Sequence, residues 1–405
     1  MKYYTLILLT LSWNVFSEQC HDTDAFTQIN DETIEELGDN SHDEYEFWHK
    51  KYHQFLLEQV EPMIQLDGVE GLIGNDIDPE LIKKRNSTFI AIISQKQHDD
   101  PLKDRLLGLC HYDDLESLCE QHSRFDSESI TNDQNVINFF RPLSIAQKNN
   151  DEPQIDRLMN AMTDARYANI HFDKHFLLAM RYVEEFIKSI PTTAARESLV
   201  LGYSDDLSYL ENAHSQYLSD QTLEEYIDTM ATLHLAYITS LISSAPAYSP
   251  LSRICDNKKF NSSCVEIGKI MTKGNSLITQ QVGYSLLKKA ALQNLDNTEA
   301  SRIIFSKAKL WRYTTCLGDF PEPFVSEYPH PAYFPAMVQS YQQGGSELEA
   351  VKQASYAVYH AISDAGISTT YDPYACEDII NMDDDAYLKK YSAEDPHLND
   401  LKDLL

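Results

Sequence analysis

The chain has 405 residues, 42% of them hydrophobic, and a formal charge of −30 from 63 acidic against 33 basic residues. That apolar share excludes a disordered chain. So large a negative charge excludes binding to a nucleic-acid backbone, where each phosphate contact needs a Lys or Arg, and leaves cationic partners open.

At the N-terminus one basic residue, Lys2, precedes an uncharged apolar run from Tyr3 to Phe16. This is the profile of a secretory signal, with cleavage expected before Glu18 so that residues 1–17 are removed. An apolar run this short spans a bilayer poorly. The longest later apolar-rich stretch, Leu223 to Ile242, carries Glu224, Glu225 and Asp228, so no transmembrane segment is expected in the mature chain. The expected location is periplasmic or secreted.

Helical periodicity then recurs along the chain. Tyr45, Trp48, Tyr52, Phe55, Leu56 and Val60 place an apolar stripe on one face of a first helix from about Ser41, where Ser41 and Glu44 have the spacing of a capping box. Asp78-Pro79 and Asp100-Pro101 read as starts of two more helices, each a capping residue followed by a proline at the first helical position. Between Asn135 and Ala165 two short helices flank the polar turn Lys148 to Asp151, and Ile155, Leu158, Met159 and Met162 give the second a buried face. A longer helix carries Phe172, Phe176, Ala179, Val183 and Ile187 and ends near Pro191; another runs from Leu223 to Leu241 behind a Thr222/Glu225 capping box. Ala245 to Pro250, with two prolines, is the expected domain boundary. Helices resume over Asn261 to Leu295 and Thr298 to Cys316, and Pro321, Pro323, Pro329, Pro331 and Pro335 mark an irregular aromatic connection. A final helix starts at Ser346 and stops at Gly366, and the acidic tail beyond it reads as surface-bound or partly disordered. Strand signals are scarce, because no alternating run is flanked by hairpin turns.

The sequence therefore predicts an all-α protein, a helical bundle or an irregular α-solenoid of stacked antiparallel helix pairs. Its expected parts are the signal (1–17), an N-terminal helical unit (18–245), a C-terminal helical unit (251–366) and an acidic tail (367–405).

Seven cysteines are present, and Cys110 with Cys119 and Cys255 with Cys264 share one Cys-x8-Cys spacing. In an oxidising compartment such loops close as disulfides, whereas structural zinc sites space their thiolates more tightly. Cys316 and Cys376 form a possible long-range pair, and Cys20 is the odd thiol.

The segment from Asn135 to Ala165 resembles a degenerate tetratricopeptide unit. Phe139 and Phe140 stand near that unit's aromatic position, a polar turn follows, and Ala161 with Ala165 resembles its small-residue helix. The family's glycine is missing, and Pro142 lies in the first helix. The chain as a whole is similar to exported helical proteobacterial proteins of unassigned activity that carry a paired-cysteine segment ahead of such a unit. The tetratricopeptide likeness implies stacked helix pairs and protein or peptide binding, whereas the second resemblance brings no activity with it.

One arrangement points to a metal. Glu46, His49 and His53, spaced three then four residues apart, fall on one helical face, and His171 with His175 and Glu211 with His214 repeat parts of that spacing. The sequence holds no His-Glu-x-x-His, Gly-x-Ser-x-Gly, Gly-x4-Gly-Lys or Cys-x-x-Cys motif, so neither a cofactor nor a catalytic residue is expected. There are 24 tyrosines; Tyr328, His330, Tyr333, Phe334, Tyr371 and Tyr374 either line a ligand groove or seal loops onto the helical body. The expected function is a non-catalytic exported scaffold that binds a protein or peptide. The alternative is an exported, metal-dependent enzyme using Glu46, His49 and His53.

Overall fold

The computed structural model describes residues 39–73, 79–95, 100–110, 112–122, 133–191, 196, 199, 222–244, 248–294, 296–321 and 330–401. The signal segment, Cys20, Tyr328 and the Glu211/His214 pair lie outside these residues, as does the first half of the Ala245–Pro250 break.

The protein is all-α. In chain order the helices are α1 (Asp39–Leu57), α2 (Pro62–Glu70), α3 (Pro79–Ile93), α4 (Asp100–Leu109), α5 (Asp113–His122), α6 (Phe140–Lys148) and α7 (Glu152–Thr163). Then come α8 (Phe172–Ser189), α9 (Leu223–Ser244), α10 (Ser249–Ile254), α11 (Asn261–Met271), α12 (Leu277–Gln293) and α13 (Asn297–Leu317). The chain ends in α14 (Tyr333–Gln342), α15 (Glu347–Asp364), α16 (Glu377–Asn381) and α17 (Asp384–Tyr391). Among the described residues the one β-type pairing is an isolated bridge between Asn135 and Tyr167.

The predicted caps of α9 and α15 form, where side-chain oxygens satisfy the free amides of a first helical turn, whereas Ser41 and Asp100 fall inside α1 and α4 and Asp78 lies outside the described residues. At α9 the box is reciprocal: Thr222 Oγ1 accepts from the Glu225 amide at 3.2 Å and Glu225 accepts from the Thr222 amide at 2.9 Å. Asp151 and Ser346 cap α7 and α15 through their side chains, and α15 ends before Gly366, whose φ of 73° suits a residue without a Cβ. Pro142 and Pro335 fall in the first turns of α6 and α14, where a missing amide proton breaks no helical bond. The proline-rich connection is therefore helical from Tyr333 onward, contrary to its irregular reading.

Two compact units emerge, and they are not the contiguous ones expected. One comprises Gln19–Ser129 and Ile170–Ala247; the other joins Ile130–Asn169 to Tyr248–Leu405. The reason is a set of long-range hydrogen bonds. Asn135 binds both the carbonyl and the amide of Asn169, at 2.8 and 3.0 Å, closing the α6–α7 segment on itself. The Asn275 amide then binds the Ala168 carbonyl, and α7 packs on α11. Pro250, placed in an exposed break by the sequence, is instead buried at the start of α10, as is the preceding Tyr248.

In the first unit α2 is the hub: α1, α3, α4, α8 and α9 all pack against it. Its core joins Leu57, Leu66, Val69, Phe89, Ile92 and Leu106 to the Cys110–Cys119 disulfide. The second unit is a series of sequential helix pairs, α6–α7, α11–α12, α12–α13 and α14–α15, with a Cys255–Cys264 disulfide tying the end of α10 to α11. The acidic tail is part of this unit's core. Tyr387, Tyr391, Leu398 and Leu401 pack with Ile304, Ala308, Tyr313 and Leu317, and Cys376 is bonded to Cys316.

One carboxylate joins two helix pairs: the Leu277 amide, at the start of α12, donates to Glu347 Oε2 at 2.7 Å. Burial raises the Glu347 pKa from 4.5 to about 7, against the opposing pull of this hydrogen bond. Between those pH values the folded state holds a proton that the unfolded state has released, so this group's contribution to stability falls as pH rises through the window. Glu347→Gln keeps an acceptor without the charge. Its stability relative to the wild type should climb between pH 4.5 and about 7, by at most about 3 kcal/mol. Urea denaturation of both proteins across this range measures it; a difference independent of pH would show that the carboxylate is not held in a charge-excluding site.

Candidate functional site

Buried polar chemistry collects around α2 in the first unit. The Asp67 side chain is 1% exposed, yet it sits 2.7 Å from His175 Nε2 on α8 and 3.5 Å from Arg105 Nη2 on α4. Arg105 is also paired with Glu70, one helical turn beyond Asp67, and Tyr112 donates to the other Glu70 oxygen at 2.9 Å. Burial works against the Arg105 charge, but Glu70 and Asp67 outweigh it and hold the guanidinium above its ordinary pKa. The Tyr112 phenol is raised first by burial and then by Glu70. Two acids on one face of α2 thus share one arginine and one histidine from separate helices, and this mutual satisfaction is what makes their burial tolerable.

The predicted metal face lies beside this network. His49 and His53 are one turn apart on α1, their Nε2 atoms 3.2 Å from each other and their rings nearly perpendicular at 80°. The His53 ring lies against Gly71, where a Cβ would overlap its Cε1 and Nδ1 atoms. It also lies next to the Asp67 backbone carbonyl, while its buried Nδ1 makes no hydrogen bond of good geometry. Burial lowers the pKa of both imidazoles, and for His53 the neighbouring His49 adds to the effect. Glu46 belongs to α1, but its side chain is outside the described residues. Among the described residues no group of three or more His, Cys, Asp or Glu side chains is arranged to hold a metal.

His171 and His175 do not share a helix face as their spacing suggested. His171 precedes the first turn of α8 in a left-handed conformation, with φ of 55°, while His175 turns inward to Asp67. Sequence reasoning missed Asp67, Glu70 and Arg105. Asp67 and His175 are 108 residues apart, and no local spacing connects them.

The second unit carries an aromatic patch. Tyr356 and Tyr374 stack with centroids 4.2 Å apart, Tyr359 meets Tyr374 edge-on at 5.7 Å, and His360 Nε2 is 2.8 Å from the Tyr374 hydroxyl. Glu377 anchors the assembly, accepting from the Tyr313 and Tyr356 hydroxyls and from Lys352 Nζ, each at 2.8 Å. The Lys352 ammonium lies 5.7 Å from the Tyr356 ring centre. Tyr374 is 44% exposed. Two other predicted aromatics seal loops: Phe320 touches Tyr333 and Tyr371, and the buried Tyr371 hydroxyl donates to the Leu317 carbonyl at 2.9 Å.

Compared with known proteins, the chain matches no family model, no curated protein and no solved structure.

Proposed function

We propose that this chain is an exported helical scaffold that binds a protein or peptide, and that its ligand presents a cationic segment to the tyrosines of α15 and the loop after it. The observation that carries this reading is the Tyr356–Tyr359–Tyr374 patch, half-buried at Tyr356 and Tyr359 and exposed at Tyr374, anchored on Glu377 and already holding one cation of its own chain, Lys352. Ring faces attract ammonium and guanidinium groups, and tyrosine offers contact area at little entropy cost. The formal charge of −30 steers a basic ligand toward the molecule. Sequential helix pairs, the likeness of Asn135–Ala165 to a tetratricopeptide unit and the three disulfides support a scaffold working in an oxidising, periplasmic or extracellular setting.

Fluorescence anisotropy with labelled peptides of equal length tests the reading. A peptide rich in Arg and Lys should bind while neutral and acidic peptides do not, and Tyr359→Ala and Tyr374→Ala should each weaken it about 10-fold, a cation–π contact of ~1–2 kcal/mol. Equal affinity of wild type and both variants would reduce the binding to bulk charge and end the assignment of this surface.

A further inference from the structure

We propose that His49 and His53 chelate a divalent transition-metal ion of the zinc or nickel class through their Nε2 atoms. Two imidazole nitrogens bound to one tetrahedral zinc at 2.0–2.1 Å stand about 3.3 Å apart, and the two Nε2 atoms stand 3.2 Å apart. The helix supplies this bite, since positions one turn apart bring side chains together on one face.

The surroundings of His53 turn its Nε2 toward His49. The Asp67 carbonyl lies beside the ring and His49 occupies its Nε2 side. A proton on Nδ1 leaves the Nε2 lone pair directed at His49. Gly71 makes this orientation possible, because any side chain at that position would overlap the ring. In the absence of metal the pair is held by one nitrogen donating its proton to the other. To bind the ion, His49 takes the tautomer with its proton on Nδ1, so that both Nε2 lone pairs are free for the metal and both rings stay neutral, and water completes the coordination.

The test uses the full chain stripped with chelator and titrated with Zn2+ by calorimetry, with Co2+ as an absorbance reporter of nitrogen ligation. One ion per chain should bind, and His49→Ala should lower affinity at least about 10-fold. His49 is only partly buried, so this variant should keep its helical circular dichroism. Gly71→Ala, which leaves both histidines in place but displaces the His53 ring, should also weaken binding. His360→Ala, in the tyrosine patch, should not. Absence of saturable binding, or affinity unchanged in folded His49→Ala, overturns the proposal.

Discussion

Replacing Arg105 with Met should destabilise the first unit by about 3–5 kcal/mol, the cost of leaving a buried charge without its partner. The arginine side chain is 5% exposed and faces Asp67 at 1% and Glu70 at 11%, so neither acid can recover its lost partner from water. Methionine matches the length of the arginine stem and preserves packing, which confines the effect to charge. His175 compensates only Asp67, and Tyr112 offers Glu70 a neutral hydrogen bond. Asp67→Asn should cost less, because the amide retains an acceptor for Arg105 and removes one of two crowded negative charges. Urea unfolding followed by circular dichroism measures both. If Arg105→Met costs no more than Asp67→Asn, the network does not depend on its single permanent cation.

Removing the Cys316–Cys376 bond by a double change to Ala should cost about 4 kcal/mol, against about 2.5 kcal/mol for either short-loop pair, on the chain-entropy account of cross-links. The difference follows from loop length. Cys316 and Cys376 are 60 residues apart, whereas the other pairs are nine apart. The buried tail residues Tyr387, Tyr391, Leu398 and Leu401 hold the same region, so the tail should loosen without being lost altogether. Hydrogen exchange across 371–401 before and after the change reports this directly. Protection that falls more in the Cys110→Ala/Cys119→Ala protein than in the Cys316→Ala/Cys376→Ala protein would contradict the loop-length ordering.

Local signals were legible and distant ones were not. Thr222 and Glu225 announce α9 because both partners of the box lie within one turn, and Phe172 to Ile187 announce α8 through a stripe of period 3.6. The two Cys-x8-Cys pairs are equally local, and both meet at disulfide distance. The tail misled because its acidic residues, such as Asp383 and Asp385, are exposed while the interspersed Tyr387 and Tyr391 enter the core. Composition averages over the two faces. At the site, the His49–His53 juxtaposition followed from helix geometry, but Asp67, Glu70, Arg105 and His175 meet only through tertiary packing around α2. The domain division failed for the same reason, since the bonds of Asn135 to Asn169 and of Asn275 to Ala168 cannot be read from periodicity.

The interleaving of the two units has a consequence for how the chain reaches its fold. From Gln19 onward each unit is made of two pieces, and the chain passes between units at residues 129–130, 169–170 and 247–248. The segment Ile130–Asn169 emerges before Tyr248–Leu405, the piece it packs with, and must wait while Ile170–Ala247 is delivered. Loop closure over such a span is slow, and until it occurs Leu158, Met159 and Met162, buried in the finished protein, have no completed core to enter. A chain synthesised from its N-terminus therefore exposes this helix pair as a transient apolar surface, the kind of stretch that holding chaperones engage. No single cut or truncation point yields one complete unit without stranding half of the other.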